Sequence, residues 1–187
     1  MMIHGILTVA RALASPREHG EDRIGVFEYG DALVVVVADG SGGLSGGARA
    51  AELLVELVRE AVAAPALGPL RAEAWVDLLA RADLLLEADH DAGETTAVVL
   101  AVAERLVIGA SCGDSGAWVV HPNGLIDDLT ARQYRRLRLG SGRGGPSRSR
   151  GRGSAGRSWS PPTGSSTMPG LRRSARSHNR KTSTEPR

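Results

Sequence analysis

The run Ala32-Leu-Val-Val-Val-Val-Ala38, stopped by Asp39-Gly40, constrains this chain more than any other stretch. It is β-rich and bounded by turn residues, so it reads as a strand, and it is far too short to span a bilayer. Ile24–Glu28 is a second β-rich run, joined to it by Tyr29-Gly30-Asp31, a hairpin signal. The Gly-rich stretch Gly40–Gly47 reads as a loop. Beyond it the period changes to that of a helix. Ala48–Ala64 carries Leu53, Leu57 and Val58 on one face and Glu52, Glu56, Arg59 and Glu60 on the other. Pro65–Pro69 breaks this helix, and a second is expected over Leu70–Ala88 with Trp75, Leu78, Leu79, Leu85 and Leu86 apolar.

Strand character then returns. Thr95–Val102 and Leu106–Ala110 are joined at Ala103-Glu104-Arg105, and Ala117–Val120 ends at His121-Pro122-Asn123-Gly124. A hairpin, two helices and a β-meander imply an α+β fold, mainly antiparallel sheet with helices packed outside. Strands and helices do not alternate, which disfavours a doubly wound parallel sheet. Aromatic residues are only 3% of the chain, so the core must come from Val, Leu, Ala and Ile. The single cysteine, Cys112, excludes an internal disulfide framework, fits a reducing compartment, and reads as a small buried strand residue. The first residues lack a basic start and are interrupted by Arg11, so no signal peptide is expected. The body is expected to be soluble, cytoplasmic and without a membrane partner.

Charge divides the chain sharply. Residues 1–131 hold eight arginines and twenty acids, a net of −12, whereas residues 132–187 hold fifteen basic residues and one acid, Glu185, a net of +14. From about Gly140 Gly, Ser, Arg and Pro dominate with no apolar period. The expected division is therefore a folded part, 1–142, and a disordered tail, 143–187.

Chemistry concentrates around the first hairpin. Arg17-Glu-His19-Gly-Glu21-Asp22 precedes it and Asp39-Gly40-Ser41-Gly42-Gly43 follows it. Acidic residues at strand ends separated by one hairpin can meet on one edge of a sheet, where hard oxygen ligands select Mg²⁺ or Mn²⁺. Glycine beside Asp39 would let the Gly40 carbonyl join them. Alternatively, Asp39 simply opens a Gly-rich turn; the residues alone leave both readings open. A P-loop fails because no lysine precedes Lys181, and a dinucleotide fingerprint fails because Ser45 stands where its third glycine belongs.

Four segments now recur in order: Arg17-x3-Glu21-Asp22, Val36-Val-Ala-Asp39-Gly40-x-Gly-Gly, Gly93-x-Thr95-Thr96-Ala97 and Gly113-Asp114-Ser115-x-Ala117. With Leu129-Thr130 and Leu139-Gly140-Ser141-Gly142 they resemble the PP2C-type (PPM) metal-dependent serine/threonine phosphatases, especially the bacterial branch. The resemblance implies an α-β-β-α sandwich and hydrolysis of phosphoserine and phosphothreonine on proteins, the substrates of a serine/threonine kinase, by a metal-bridging water. It implies two Mn²⁺ or Mg²⁺ ions, with a third in some members. Glu21, Asp39 and the Gly40 carbonyl would be ligands, Asp22 an acidic neighbour, Asp114 the third-metal aspartate, and Arg17 the phosphate-binding arginine. Ser41 stands where animal members carry a histidine.

The family also draws metal aspartates from its C-terminal half, and no Asp follows Asp128. The phosphatase part is accordingly expected to be C-terminally incomplete and its activity impaired. A shifted reading frame is the expected origin of the tail: with chosen GC-rich codons, Ser158–Ser166 read two bases later becomes Val-Val-Ala-Thr-Asp-Gly-Leu-Phe. Two other readings compete, a non-catalytic phosphatase-like binding module and a nucleic-acid binder acting through the basic tail. The tail has only Trp159 for base stacking, so nucleic-acid contact is expected to be non-specific.

Overall fold

The computed structural model describes residues 9–13, 20–42, 46–64, 68, 71–143 and 145–151. In chain order the elements are β1 (Arg23–Tyr29), β2 (Ala32–Ala38), β3 (Gly40–Ser41), α1 (Gly46–Ala63), α2 (Ala72–Ala88), β4 (Glu94–Thr95), β5 (Ala97–Ala103), β6 (Leu106–Cys112), β7 (Trp118–Val120), β8 (Ile126–Asp128) and β9 (Ser147–Gly151). Five strands form one sheet in the order β1-β2-β5-β6-β9. Every pairing in it is antiparallel, as the α+β expectation requires. Gly30, at φ +56 with open space around it, makes the β1–β2 turn.

The valine run explains how the sheet packs. Successive side chains alternate faces, so Val34, Val36 and Ala38 are fully buried while Leu33, Val35 and Val37 are half-buried on the opposite face. Val36 lies opposite Gly25 on β1 and Val99 on β5, which extends the buried stripe across three strands. α1 packs over β1 and β2 and α2 over β6 and β9, and both enter one core with that stripe. From α1 it receives Ala50, Ala51, Leu54 and Val58, and from α2 Trp75, Leu79, Ala82 and Leu86. Apart from the adjacent Ala50 and Ala51, each spacing is three or four residues, the repeat that keeps a helix face toward a core. Each fully buried Val or Leu contributes about 1.5–3 kcal/mol relative to exposure. The expected polar face of α1, Glu52, Glu56, Arg59 and Glu60, is exposed.

Four local expectations give way to the structure. Leu85, expected on the apolar face of α2, is 40% exposed, because the buried stripe runs 75-79-82-86 and residue 85 sits about a quarter of a turn off its axis. The strand expected over Thr95–Val102 breaks at Thr96 into β4 and β5. The start of the Gly-rich loop is not loop, since Gly40 and Ser41 pair with Thr95 and Glu94. The stretch expected to lack structure from residue 143 contains β9, paired residue for residue with Val107–Ser111. Its own sequence, Ser-Arg-Ser-Arg-Gly, has little strand preference. The unpaired backbone groups along the edge of β6 supply the reason for the pairing. Among the described residues, no helix is long and apolar enough to cross a membrane.

Candidate functional site

Asp39 sits at the C-terminal end of β2, where the valine run stops and the chain turns into β3. Its backbone is fixed on both sides. The Asp39 N–H donates to Thr96 Oγ1 at 3.1 Å, and its carbonyl accepts the Thr96 N–H at 2.9 Å and the Thr95 hydroxyl at 3.2 Å. These bonds are the physical cause of the break between β4 and β5. Thr96 is diverted from the ladder to hold Asp39.

The Gly-rich loop is shaped by close backbone approach. A Cβ on Gly40 would run into the Gly47 carbonyl oxygen, and one on Gly93 would lie 2.5 Å from the Ser41 oxygen and 3.0 Å from both the Gly42 Cα and the Gly46 carbonyl carbon. The Gly93 N–H donates to the Gly46 carbonyl at 2.8 Å. Glycines from three segments therefore interlock where no side chain fits, and they bring the start of α1 against β3 and β4.

Asp114 arrives from the opposite side, on the turn after β6. Gly113 makes that turn at φ +97, and a Cβ there would lie 2.8 Å from the Thr96 side chain. Ser115 follows and shares a 2.6 Å hydrogen bond between its hydroxyl and that of Thr96. Thr96 thus links Asp39 to the Asp114-Ser115 turn through a single hydroxyl. The stretch from Thr130 to Gln133 braces the turn. Gln133 Nε2 donates to the Ser115 carbonyl at 2.7 Å, and the Ala117 N–H donates to Thr130 Oγ1 at 3.3 Å. Thr130 is held in turn by Asp128, whose Oδ1 accepts both the Thr130 N–H and its hydroxyl at 2.8 Å. Those two bonds hold the Asp128 carboxyl below the usual aspartate range.

Leu139-Gly140 closes the arrangement. Leu139 exchanges two backbone hydrogen bonds with Thr95, at 3.0 and 2.9 Å, and the Gly140 N–H donates to Asp83 Oδ1 at 2.7 Å. Asp83 projects from α2 and is buried. Cys112 lies beneath, with its thiol donating to the Leu137 carbonyl at 3.3 Å. Burial pushes that thiol up to about 11, with the charge of Asp83 adding to the effect.

The acidic side chains show what this end of the sheet can do. The carboxyl of Asp22 lies beside that of Asp39 and, with Asp114, crowds it with like charge. Partial desolvation raises Asp39 above the usual carboxylate range, Asp22 raises it further by hydrogen bond and charge, and Asp114 adds to the repulsion. Arg138 acts against them; its guanidinium lies 3.8 Å from Asp114 Oδ2. Crowded carboxylates of this kind suit a hard divalent cation. Among the described residues, no three of His, Cys, Asp and Glu converge closely enough to enclose one. The donor chemistry fits, with Asp22 and Asp39 as its nucleus.

Of the residues expected from sequence, Asp22, Asp39, Gly40 and Asp114 gather at this end of the sheet. Asp22, expected as an acidic neighbour in the metal site, lies beside Asp39. Glu21 turns toward the start of α1: its carboxyl carbon would lie 3.0 Å from a Cβ on Gly47. Arg17 and His19 lie outside the described residues. Sequence reasoning passed over the Thr96 hydroxyl, Asp83 and Arg138. Thr96 could have been found as the strand-breaking residue of a Thr-Thr pair; the other two carry no local signal.

Comparison with protein-family models gives one described as protein phosphatase 2C, matching residues 15–137. Comparison with curated protein sequences gives no significant match. Among solved structures, an arginine-to-alanine variant of a bacterial serine phosphatase is similar at 24% identity and TM-score 0.61, over 73% of this chain and 66% of that one. The serine/threonine phosphatase Stp1 from Staphylococcus aureus is similar at 20% identity and TM-score 0.62, over 75% of this chain and 68% of that one. The catalytic domain of the serine/threonine protein phosphatase PstP, in complex with two manganese ions, is similar at 16% identity and TM-score 0.59, over 78% of this chain and 70% of that one. At these identities the likeness is one of fold, and the chain spans about two thirds of the length of the first two structures.

Proposed function

The chain belongs to the protein phosphatase 2C family, and on that premise we propose that it hydrolyses phosphoserine and phosphothreonine esters on cytoplasmic proteins. One observation carries the reading. The family-like segments, distant in sequence, meet at one end of the sheet around Asp39, tied by the Thr96 hydroxyl and crowded by Asp22 and Asp114.

Asp22 and Asp39 would hold Mn²⁺ or Mg²⁺, with the Gly40 carbonyl beside them and Asp114 available to a further ion. When bound, such cations lower the pKa of water and offset charge on phosphoryl oxygens. The chain's own residues do the rest. Asp39 would present its carboxylate oxygens from a backbone that cannot drift, because Thr95 and Thr96 hold it from both sides, and Asp22 lies beside it. The interlocked glycines keep side chains out of the space beside Asp39. Arg17, four residues before Glu21, is proposed to bind the substrate phosphate. No side-chain nucleophile is required, in keeping with Cys112, whose thiol is buried and protonated at neutral pH.

The test is turnover of p-nitrophenyl phosphate and of a phosphothreonine peptide, with and without Mn²⁺. Weak activity, impaired by the missing C-terminal aspartates, that appears with Mn²⁺, disappears with chelator and is lost in Asp39→Asn is the expected result, since removing a metal ligand removes the main source of charge stabilisation. Metal-independent turnover, or full activity in Asp39→Asn, overturns the proposal.

A further inference from the structure

Arg138 is placed in the site with more care than a surface arginine needs. Its own carbonyl accepts the Ser141 hydroxyl at 2.7 Å. The next residue, Leu139, is bonded twice to Thr95, and Gly140 is bonded to buried Asp83. The backbone is therefore fixed without help from the guanidinium. That group reaches toward Asp114, and its NH2 lies 3.8 Å from Asp114 Oδ2. The separation permits charge attraction but exceeds a hydrogen bond. The side chain is 37% exposed, so its donors remain accessible from solvent.

A guanidinium held beside carboxylates, paired by charge but not closed onto one of them, suits a second anion. Its planar fork matches phosphoryl oxygens two at a time, which a lysine ammonium does not. We propose that Arg138 contacts the phosphoryl oxygens of the substrate, as an anchor additional to Arg17. The inference rests on the phosphatase reading for its substrate, although the anion contact itself is measurable without turnover.

The experiment uses the full chain with Arg138→Ala and Arg138→Lys. Binding of inorganic phosphate in the presence of Mn²⁺ is followed by calorimetry, and hydrolysis of p-nitrophenyl phosphate by initial rates. Arg138→Ala should bind phosphate roughly tenfold more weakly, the effect of losing a charge-assisted contact, and KM should rise by a similar factor while kcat changes much less. Arg138→Lys should recover part of the loss. Unchanged phosphate binding in Arg138→Ala overturns the inference. So does a fall in kcat with KM unmoved, which would mean that Arg138 acts only by orienting Asp114. If the unsubstituted chain shows no Mn²⁺-dependent turnover, the phosphatase reading fails, and phosphate binding alone decides Arg138: weaker binding in the alanine variant supports the contact and equal binding refutes it. Should Arg138→Ala lower the melting temperature, Arg138→Gln is read by the same criteria.

Discussion

Asp39 carries opposing demands from stability and chemistry. Its carboxyl is raised by desolvation and by the carboxyls of Asp22 and Asp114. The folded chain therefore binds that proton more tightly than the unfolded chain does. Such a group favours folding below the ordinary aspartate range, and the benefit is lost as pH rises through its folded value. At neutral pH without metal, the Asp39 charge works against the fold. Asp39→Asn should accordingly leave the metal-free melting temperature unchanged or raise it by up to about 3 °C, within the range of a relieved surface repulsion. The same variant should lose the stabilisation that Mn²⁺ gives the unsubstituted chain. A clear drop in metal-free melting temperature would show instead that the Asp39 carboxylate is a structural group. Cys112 offers a second residue-scale check. Its thiol is raised to about 11 and is essentially without solvent contact, so iodoacetamide at pH 8 should leave it unmodified in the folded chain. Mild denaturant should expose it to rapid alkylation. Fast labelling under native conditions, read by mass spectrometry, contradicts the packing described around β6.

Among the elements, the junction of β3, β4 and the start of α1 is the most exacting. Gly93 is a strict glycine there, because the atoms a Cβ would meet, on Ser41, Gly42 and Gly46, all belong to backbone. Backbone cannot swing aside like a flexible side chain. Gly93→Ala should cost about 1–3 kcal/mol by overpacking and weaken Mn²⁺ binding by shifting the Asp39 loop. Gly145→Ala, where the nearest atom is a Leu137 methyl at 3.9 Å, should change neither by much. Equal denaturant midpoints for the two variants would remove the close approach as an explanation. The sequence made this region only partly legible. Asp39-Gly40 and Gly93-x-Thr95-Thr96 announce that something special happens there, because a β-rich run stops on a charge and a Gly-rich stretch follows. They do not say that Thr96 leaves its ladder to hold Asp39, which depends on two segments 57 residues apart. The two helices are legible because their apolar spacing is helical, yet that spacing puts Leu85 on the wrong face. Consecutive leucines at 84, 85 and 86 hide which one the sheet selects, and only the docking of α2 picks Leu86. Asp83 carries no local signal for a related reason: it accepts a backbone N–H that arrives from distant Gly140.

For the whole molecule, the sheet's last strand is the element least explained by its own residues. β9 reads Ser-Arg-Ser-Arg-Gly, yet it completes the edge of β6. A neighbour supplies the hydrogen bonds, and side-chain preference counts for little. The mismatch leaves a trace. Ser149 is buried, and its hydroxyl has no hydrogen-bond partner among the described residues; the same holds for Ser111, two residues along on β6 from Gly109, which faces Ser149. A buried hydroxyl without a partner costs about 1–3 kcal/mol, whereas an apolar replacement of similar shape carries no such penalty. Ser149→Val should therefore stabilise the chain, raising the melting temperature by about 2–4 °C for each kcal/mol gained. β-branching at a strand position adds to the effect. The exposed neighbours Arg148 and Arg150 provide the contrast. Arg150→Val at an exposed edge position should give no comparable gain. If Ser149→Val lowers the melting temperature while Arg150→Val leaves it unchanged, the pairing of β9 with β6 is wrong, and the folded part ends nearer residue 142, where the composition first changes.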